Sequence, residues 1–241
     1  MNEEHLEGRR PLNVRKRSWP NRVAKSLANS GITPNQISMT SVAFAAACGL
    51  FALGSTQADG IVSATLLILA AASIQMRLIC NLLDGIVAVE GGLGTASGEL
   101  FNDIPDRVAD PLILISAGYC AEAFVAGDTS ATWLPAASVT FGWLAGLFAV
   151  LTAYVRVLAV SIGSPANFMG PMAKQHRMAM MTAGYALAAV LMGVFSAREF
   201  CGIVITLTLV IITLGCVLTC IRRSRAAFLH LESKPQTRDD A

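Results

Sequence analysis

The sequence predicts an all-helical integral membrane protein: six transmembrane helices around a cytoplasm-facing polar cavity, with a short amphipathic segment ahead of them. Three observations carry that expectation. First, 54% of the 241 residues are hydrophobic and 14% are charged, against about 25% charged in an ordinary soluble domain, and the mean hydropathy is +0.57. Second, of the 18 Lys and Arg and 16 Asp and Glu, 10 fall in the first 35 residues and 8 in the last 21, leaving a long apolar middle. A span needs about 20 apolar residues, so that middle holds about six helices and leaves no length for a second domain. Third, the few acidic residues of the middle crowd into one stretch. Soluble enzymes, disordered tails and basic nucleic-acid binders are excluded on these grounds, so the expected surroundings are a lipid bilayer and no nucleic-acid partner is expected.

Residues 1–35 form a basic arm carrying Arg9, Arg10, Arg15, Lys16, Arg17, Arg22 and Lys25, without the apolar run of a signal peptide. Within it, Trp19-Pro20 followed by RVAKSLANSG reads as a short amphipathic helix at headgroup level. Thr33-Pro34-Asn35 opens the first span, with Thr33 as cap and Pro34 in the first turn. The spans read as 36–54, 61–88, 98–121, 132–162, 174–196 and 200–221, so the transmembrane domain is 36–221 and 222–241 is a tail. The connections after spans one and three lack Lys and Arg, and that after span five has only Arg198. The arm, the link with Lys174 and Arg177, and the tail with Arg222, Arg223 and Arg225 are basic. The positive-inside rule then places both termini in the cytoplasm. The six cysteines, Cys48, Cys80, Cys120, Cys201, Cys216 and Cys220, show no CxxC pairing and read as buried, inert thiols.

Asp84, Glu90, Glu99, Asp103, Asp106 and Asp110 are six of the ten acidic residues between positions 36 and 220. An ionisable group at membrane depth costs about 2.5–3.5 kcal/mol even on a lenient scale, so a cluster implies function. Asp110, beside Pro111, also has a structural reading as a partner of Arg107. Asn81, Asp84 and Ala88 share one face of the second span, and Asn102, Asp106 and Asp110 one face of the third. Between them EGGLGTASG lets the backbone turn tightly. Hard oxygen ligands on facing helices suit Mg²⁺ or Mn²⁺ holding a pyrophosphate. A second constellation is Arg156, near the end of span four, with Lys174, His176 and Arg177 in the link that follows. In a short Gly/Pro-shaped loop these read as an anion site.

The polar stretch resembles the signature of the CDP-alcohol phosphotransferases, D-x-x-D-G-x-x-A-R, eight residues, G, three residues, D, three residues, D. The same frame runs without a gap from Asn81 to Asp106 and matches at Asp84, Gly85, Ala88, Gly98 and Asp106; Asn81 and Asn102 stand for aspartates and Val89 for arginine. Thr33-Pro34-Asn35 and Tyr154-Val155-Arg156 extend the likeness. The resemblance implies transfer of a phosphatidyl or similar substituted phosphate from a CDP-linked lipid to an alcohol, releasing CMP, by a protein that is typically a homodimer. It also implies one or two Mg²⁺ or Mn²⁺ ions on Asp84, Asp106, Asn81 and Asn102, Asp106 as base, and close approach of the nucleotide at Gly85, Ala88 and Gly98. Two amides in place of carboxylates balance only one divalent ion, unless Asp103, Glu99 or Glu90 supplies charge. Arg77, one turn before Asn81, or Arg107 stands in for the lost arginine at the donor phosphates. With Arg156, Lys174, His176 and Arg177 left over, a phosphorylated polyol is the expected acceptor. Two alternatives remain at this stage: a lipid- or nucleotide-binding relative with reduced catalysis, and an ion- or proton-coupled transporter using the same carboxylates.

Overall fold

The computed structural model describes residues 18–90, 98–126 and 132–233. Seven helices occupy them: α1 (Ser18–Asn29), α2 (Pro34–Ser55), α3 (Gly60–Glu90), α4 (Gly98–Val125), α5 (Leu134–Ser161), α6 (Lys174–Phe195) and α7 (Arg198–Glu232). Six of them, α2 to α7, are long and apolar enough to cross a membrane, so the chain is an integral membrane protein with the predicted number of spans. The amphipathic segment is α1, which lays Ala24 and Leu27 against Cys80, Leu83, Ile86 and Val87 of α3. The glycine-rich turn 91–97 lies outside the described residues.

Local chemistry sets the helix ends. At α2 the Gln36 amide donates to Thr33 Oγ1 at 3.3 Å, while the Thr33 amide donates to Gln36 Oε1 at 3.0 Å. That reciprocal capping box satisfies two amides that the first turn leaves without partners. Helix α6 ends on Ser196 in the left-handed region (φ 51°). Arg198 then reaches across to the α2–α3 corner, donating to the carbonyls of Thr56 and Ala58 and to Asp59, with its guanidinium 5.2 Å from the Phe124 ring centre. The lone cation expected between spans five and six is thus a clasp between two corners.

Helix packing relies on small residues, as expected where lipid supplies little drive to associate. A Cβ on Gly142 would come within 2.9 Å of the Gly118 Cα, so α4 and α5 meet backbone to backbone. The cysteines are free and buried, as read from the sequence. α7 continues to Glu232, eleven residues beyond the end of the last apolar run. Its extension is bound into the protein: Arg223 donates to the Met169 carbonyl at 3.0 Å and to the Thr152 carbonyl at 2.7 Å.

The order of neighbours around the bundle positions the site. α2 packs on α3 and α4, α6 on α3 and α7, and α7 on α4 and α5, whereas α3 and α4, consecutive in sequence, barely touch. They therefore face each other across the middle of a ring. Because the spans alternate in direction, the start of α2, the end of α3, the starts of α4 and α6 and the ends of α5 and α7 share one end of the molecule. The polar residues are at that end.

Candidate functional site

The gap between α3 and α4 is filled by charge. On α3, Arg77, Asn81 and Asp84 succeed one another at roughly one-turn intervals; on α4, Asp103, Asp106 and Asp110 do the same. Pro105 and Pro111 lie within α4, and each removes an amide from the helix ladder beside one of these aspartates. α6 enters from the side with Lys174 and Arg177, and α2 contributes Ser38.

Arg77 is the hub. It is 0% exposed, and its Nη2 lies 3.0 Å from Asp106 Oδ1 and 2.6 Å from Asp110 Oδ1. Asp106 also accepts from Asn81 Nδ2 at 2.9 Å and from Lys174 Nζ. Asp110 accepts from Arg177 Nη2 at 2.7 Å, and Arg177 Nη1 donates to Thr152 Oγ1 at 3.0 Å and to the Met172 carbonyl at 3.1 Å. Asp84, 3% exposed, accepts from Ser38 Oγ at 2.6 Å through Oδ2; its Oδ1 is buried without a hydrogen-bond partner. Asp84 also lies within the electrostatic reach of Lys174 and Asp106. Asp106 and Asp110 are thus joined to Arg77, Lys174 and Arg177 in one ion-paired cluster with Asp84 beside it, and burying such charges is tolerable only where they are paired.

Nearer the rim, Asp103 binds two arginines, Arg107 at 3.0 Å and Arg156 at 3.7 Å, all three partly exposed. Arg156 also sits over the Phe168 ring, 5.4 Å from its centre. Two guanidiniums on one carboxylate leave a net positive charge at the mouth of the cluster. The link 162–173 is moulded to α7. Gly170 has φ 124°, and a Cβ there would meet the Thr219 side chain at 2.5 Å, while the Met172 amide donates to Thr219 Oγ1 at 3.1 Å. That docking holds the start of α6, and with it Lys174, over Asp106.

The structure brings Asn81, Asp84, Asp106, Arg77 and Lys174 together as two facing polar faces. Asn102 is exposed and stands apart from the Asp106 network. Gly85 and Ala88 are half-buried, and Gly98 is the first residue of α4. The side chains of Glu90 and Glu99 lie outside the described residues. One expectation needs correction, and two residues of the second constellation lie apart from Lys174. Asp110 pairs with Arg77 and Arg177, not with Arg107, which turns back one helical turn to Asp103. Arg177, read from the sequence as part of an anion site, is 3% exposed and donates to Asp110, Thr152 and the Met172 carbonyl, which ties α6 to α4. His176 does not join Lys174: its Nδ1 lies 2.8 Å from the Pro171 carbonyl, at the surface. Ser38 was not anticipated, and no local pattern ties it to Asp84, 46 residues away.

Among the described residues no three carboxylate, imidazole or thiol groups converge to form a full metal cage. The fit to a single hard cation is nevertheless good. Mg²⁺ is commonly held by one or two carboxylates plus substrate phosphates, and the unpartnered Oδ1 of Asp84 is a donor of the required kind.

No protein-family model matches the chain. No curated protein sequence matches it either. Solved structures do. Phosphatidylinositol phosphate synthase of Mycobacterium tuberculosis, in complex with manganese and citrate, superposes with a TM-score of 0.66 over 92% of this chain and 93% of that one, at 17% identity. The same enzyme with CDP-DAG bound gives 0.66 over 92% and 98%, again at 17% identity. Its apo form gives 0.62 over 86% and 95%, also at 17% identity. The likeness covers nearly the whole of both chains, so this chain shares its fold with that synthase.

Proposed function

We propose that the protein transfers a phosphatidyl or similar substituted phosphate from a CDP-linked lipid to an alcohol, releasing CMP, at the end of the bundle facing the cytoplasm. The observation that carries this reading is the convergence of Asp84 and Asp106 from α3 and α4 at the signature spacing, inside a fold shared with an enzyme solved with CDP-DAG. A transporter would need the carboxylates but not that spacing through Gly85, Ala88 and Gly98.

Asp84, through its unpartnered Oδ1, and the amide oxygen of Asn81 would hold one Mg²⁺ or Mn²⁺ beside Asp106, and manganese in the similar enzyme supports that assignment. Bound there, the ion would supply charge to the donor's pyrophosphate and help CMP to leave. Gly85 and Ala88 leave room for the nucleotide beside α3. Asp106 takes the proton of the attacking hydroxyl: three of its roughly four lone-pair sites are engaged by Arg77, Asn81 and Lys174, and one on Oδ2 remains. Arg77 fixes the carboxylate for that task from beneath.

Arg107 and Arg156 would hold the acceptor. Their net positive charge, together with the forked geometry that suits phosphate oxygens, favours a phosphorylated polyol such as a glycerol phosphate or an inositol phosphate over a neutral alcohol. A second reading, a relative that binds lipid without transfer, is favoured by one observation: Asp106 is already engaged by its own chain. The test is a product assay. Purified protein in nanodiscs with CDP-diacylglycerol and Mn²⁺ is offered glycerol phosphate, inositol phosphate, glycerol, inositol and serine, and lipids are resolved by mass spectrometry. A new phospholipid with a phosphorylated polyol is expected; a lipid formed from serine alone would overturn the acceptor assignment, and no product with any acceptor would overturn the function.

A further inference from the structure

The signature that this chain resembles has four aspartates, enough to balance two divalent ions. Here two of the four are amides, and the structure shows what accompanies that loss. Lys174 leaves the first turn of α6, fixed there by the docking of Gly170 and Met172 on Thr219, and places its ammonium on Asp106 Oδ2. Arg77 Nη2 lies 3.0 Å from Oδ1 of the same carboxylate. Both oxygens of Asp106 thus carry a cation from the chain itself, while Asp84 Oδ1 is buried with no partner.

The charges make the same point. Asp84, Asp106 and Asp110 face Arg77, Lys174 and Arg177, so the cluster is neutral before anything binds. One divalent ion together with the two negative charges of a CDP-lipid pyrophosphate would keep it neutral; two ions would leave an excess of two positive charges in a largely buried site, which is costly at low dielectric.

We propose that the Lys174 ammonium stands in for a second divalent ion, so that the site takes a single ion at Asp84 and uses a side chain from α6 where a two-ion site would use a metal. The inference rests on the proposed transfer function. Lys174 then serves as a fixed counter-charge to Asp106 and the donor phosphates, and the amides at 81 and 102 are the other half of the same exchange, since restoring carboxylates would give the lysine more anions than it can neutralise.

Mn²⁺ binding to the purified full chain in nanodiscs, counted by electron paramagnetic resonance, tests this without any activity readout. The wild-type chain should bind one ion. Asn81→Asp with Asn102→Asp adds the charge for a second ion that the Lys174 ammonium still opposes, so the second ion should bind at least about 10-fold more weakly than the first, and adding Lys174→Met should tighten it until two ions are counted at the concentration that fills the first site. Lys174→Arg in the same background should keep the second ion weak. Size exclusion and circular dichroism check that each variant is folded, and Lys174→Gln replaces Lys174→Met if the latter is not. Two ions on the wild-type chain, or a single ion on the folded triple variant, would overturn the inference. The lipid-product assay on the same preparations separates the two claims: a chain that forms product yet binds two ions refutes the role of Lys174 alone, whereas a chain that forms none with any acceptor refutes the function.

Discussion

Arg77 lies one turn before the signature frame and is the residue on which the buried charges depend. Its guanidinium sits between Asp106 and Asp110 and is the one cation among the described residues that contacts both, since Lys174 reaches only Asp106 and Arg177 only Asp110. Removing one member of a buried ion cluster costs about 3–5 kcal/mol, because the remaining charges stay buried. Arg77→Met should therefore lower the yield of folded protein and its thermal midpoint in detergent. Arg77→Lys should recover only part of that, since Nη2 alone reaches both carboxylates and the shorter lysine stem ends before that position. A midpoint equal to wild type for Arg77→Met would show that the aspartates find other partners. At this scale the sequence was informative where spacing is local. Asp84 and Asp106 were legible because a gap-free frame fixes which faces they share, whereas the pairing of Asp110 with Arg177, 67 residues away, and of Ser38 with Asp84 follows from packing that no local period records.

α4 carries the most demanding compromise among the elements. It places three aspartates over two turns, interrupts its own hydrogen bonding at Pro105 and Pro111, and then packs against α5 at Gly118 and Gly142. A Cβ on Gly142 would meet backbone atoms of Gly118, which cannot move independently of their helix. Gly142→Ala should thus destabilise by about 1–3 kcal/mol, the usual cost of overpacking. Gly54→Ala is the control: its Cβ would meet only Leu66 Cδ1 at 3.9 Å, and alanine is the better helix former by about 1 kcal/mol. Thermal unfolding of the two variants in parallel should show a lowered midpoint for the first and an unchanged or raised one for the second. Equal midpoints would contradict the close approach of α4 and α5. The number and order of the spans were legible because hydropathy marks them directly. The end of α7 was not, since a helix continues past its apolar run when its polar turns find partners, as Arg223 does on the link before α6.

At the scale of the whole molecule, the ring order separates α3 from α4 and turns the space between them into the site, something a list of spans does not reveal. The same order brings α6 to the site from the opposite side of the sequence, so that Lys174 and Asp106 meet across 68 residues. The sequence grouped Lys174, His176 and Arg177 as one anion site because they are adjacent in the chain. Helical geometry sends them in three directions: to Asp106, to the surface and to Asp110. Under the proposed function, the Arg107–Asp103–Arg156 rim would receive an incoming phosphate, and spacing alone could not assemble it because Arg156 belongs to another helix.

The central claim is that Asp84 and Asp106 form one reaction centre for a CDP-linked lipid. Release of CMP from CDP-diacylglycerol, followed over time with a phosphorylated polyol as acceptor, tests it most directly when wild type, Asp106→Asn and Asp84→Ala are compared with and without a chelator. The account expects CMP from the wild-type chain, its loss on chelation, a fall of about 10²–10⁴-fold for Asp106→Asn, as for a missing general base, and loss of both turnover and donor binding for Asp84→Ala. CMP released by Asp106→Asn at the wild-type rate, or release indifferent to the chelator, would contradict it.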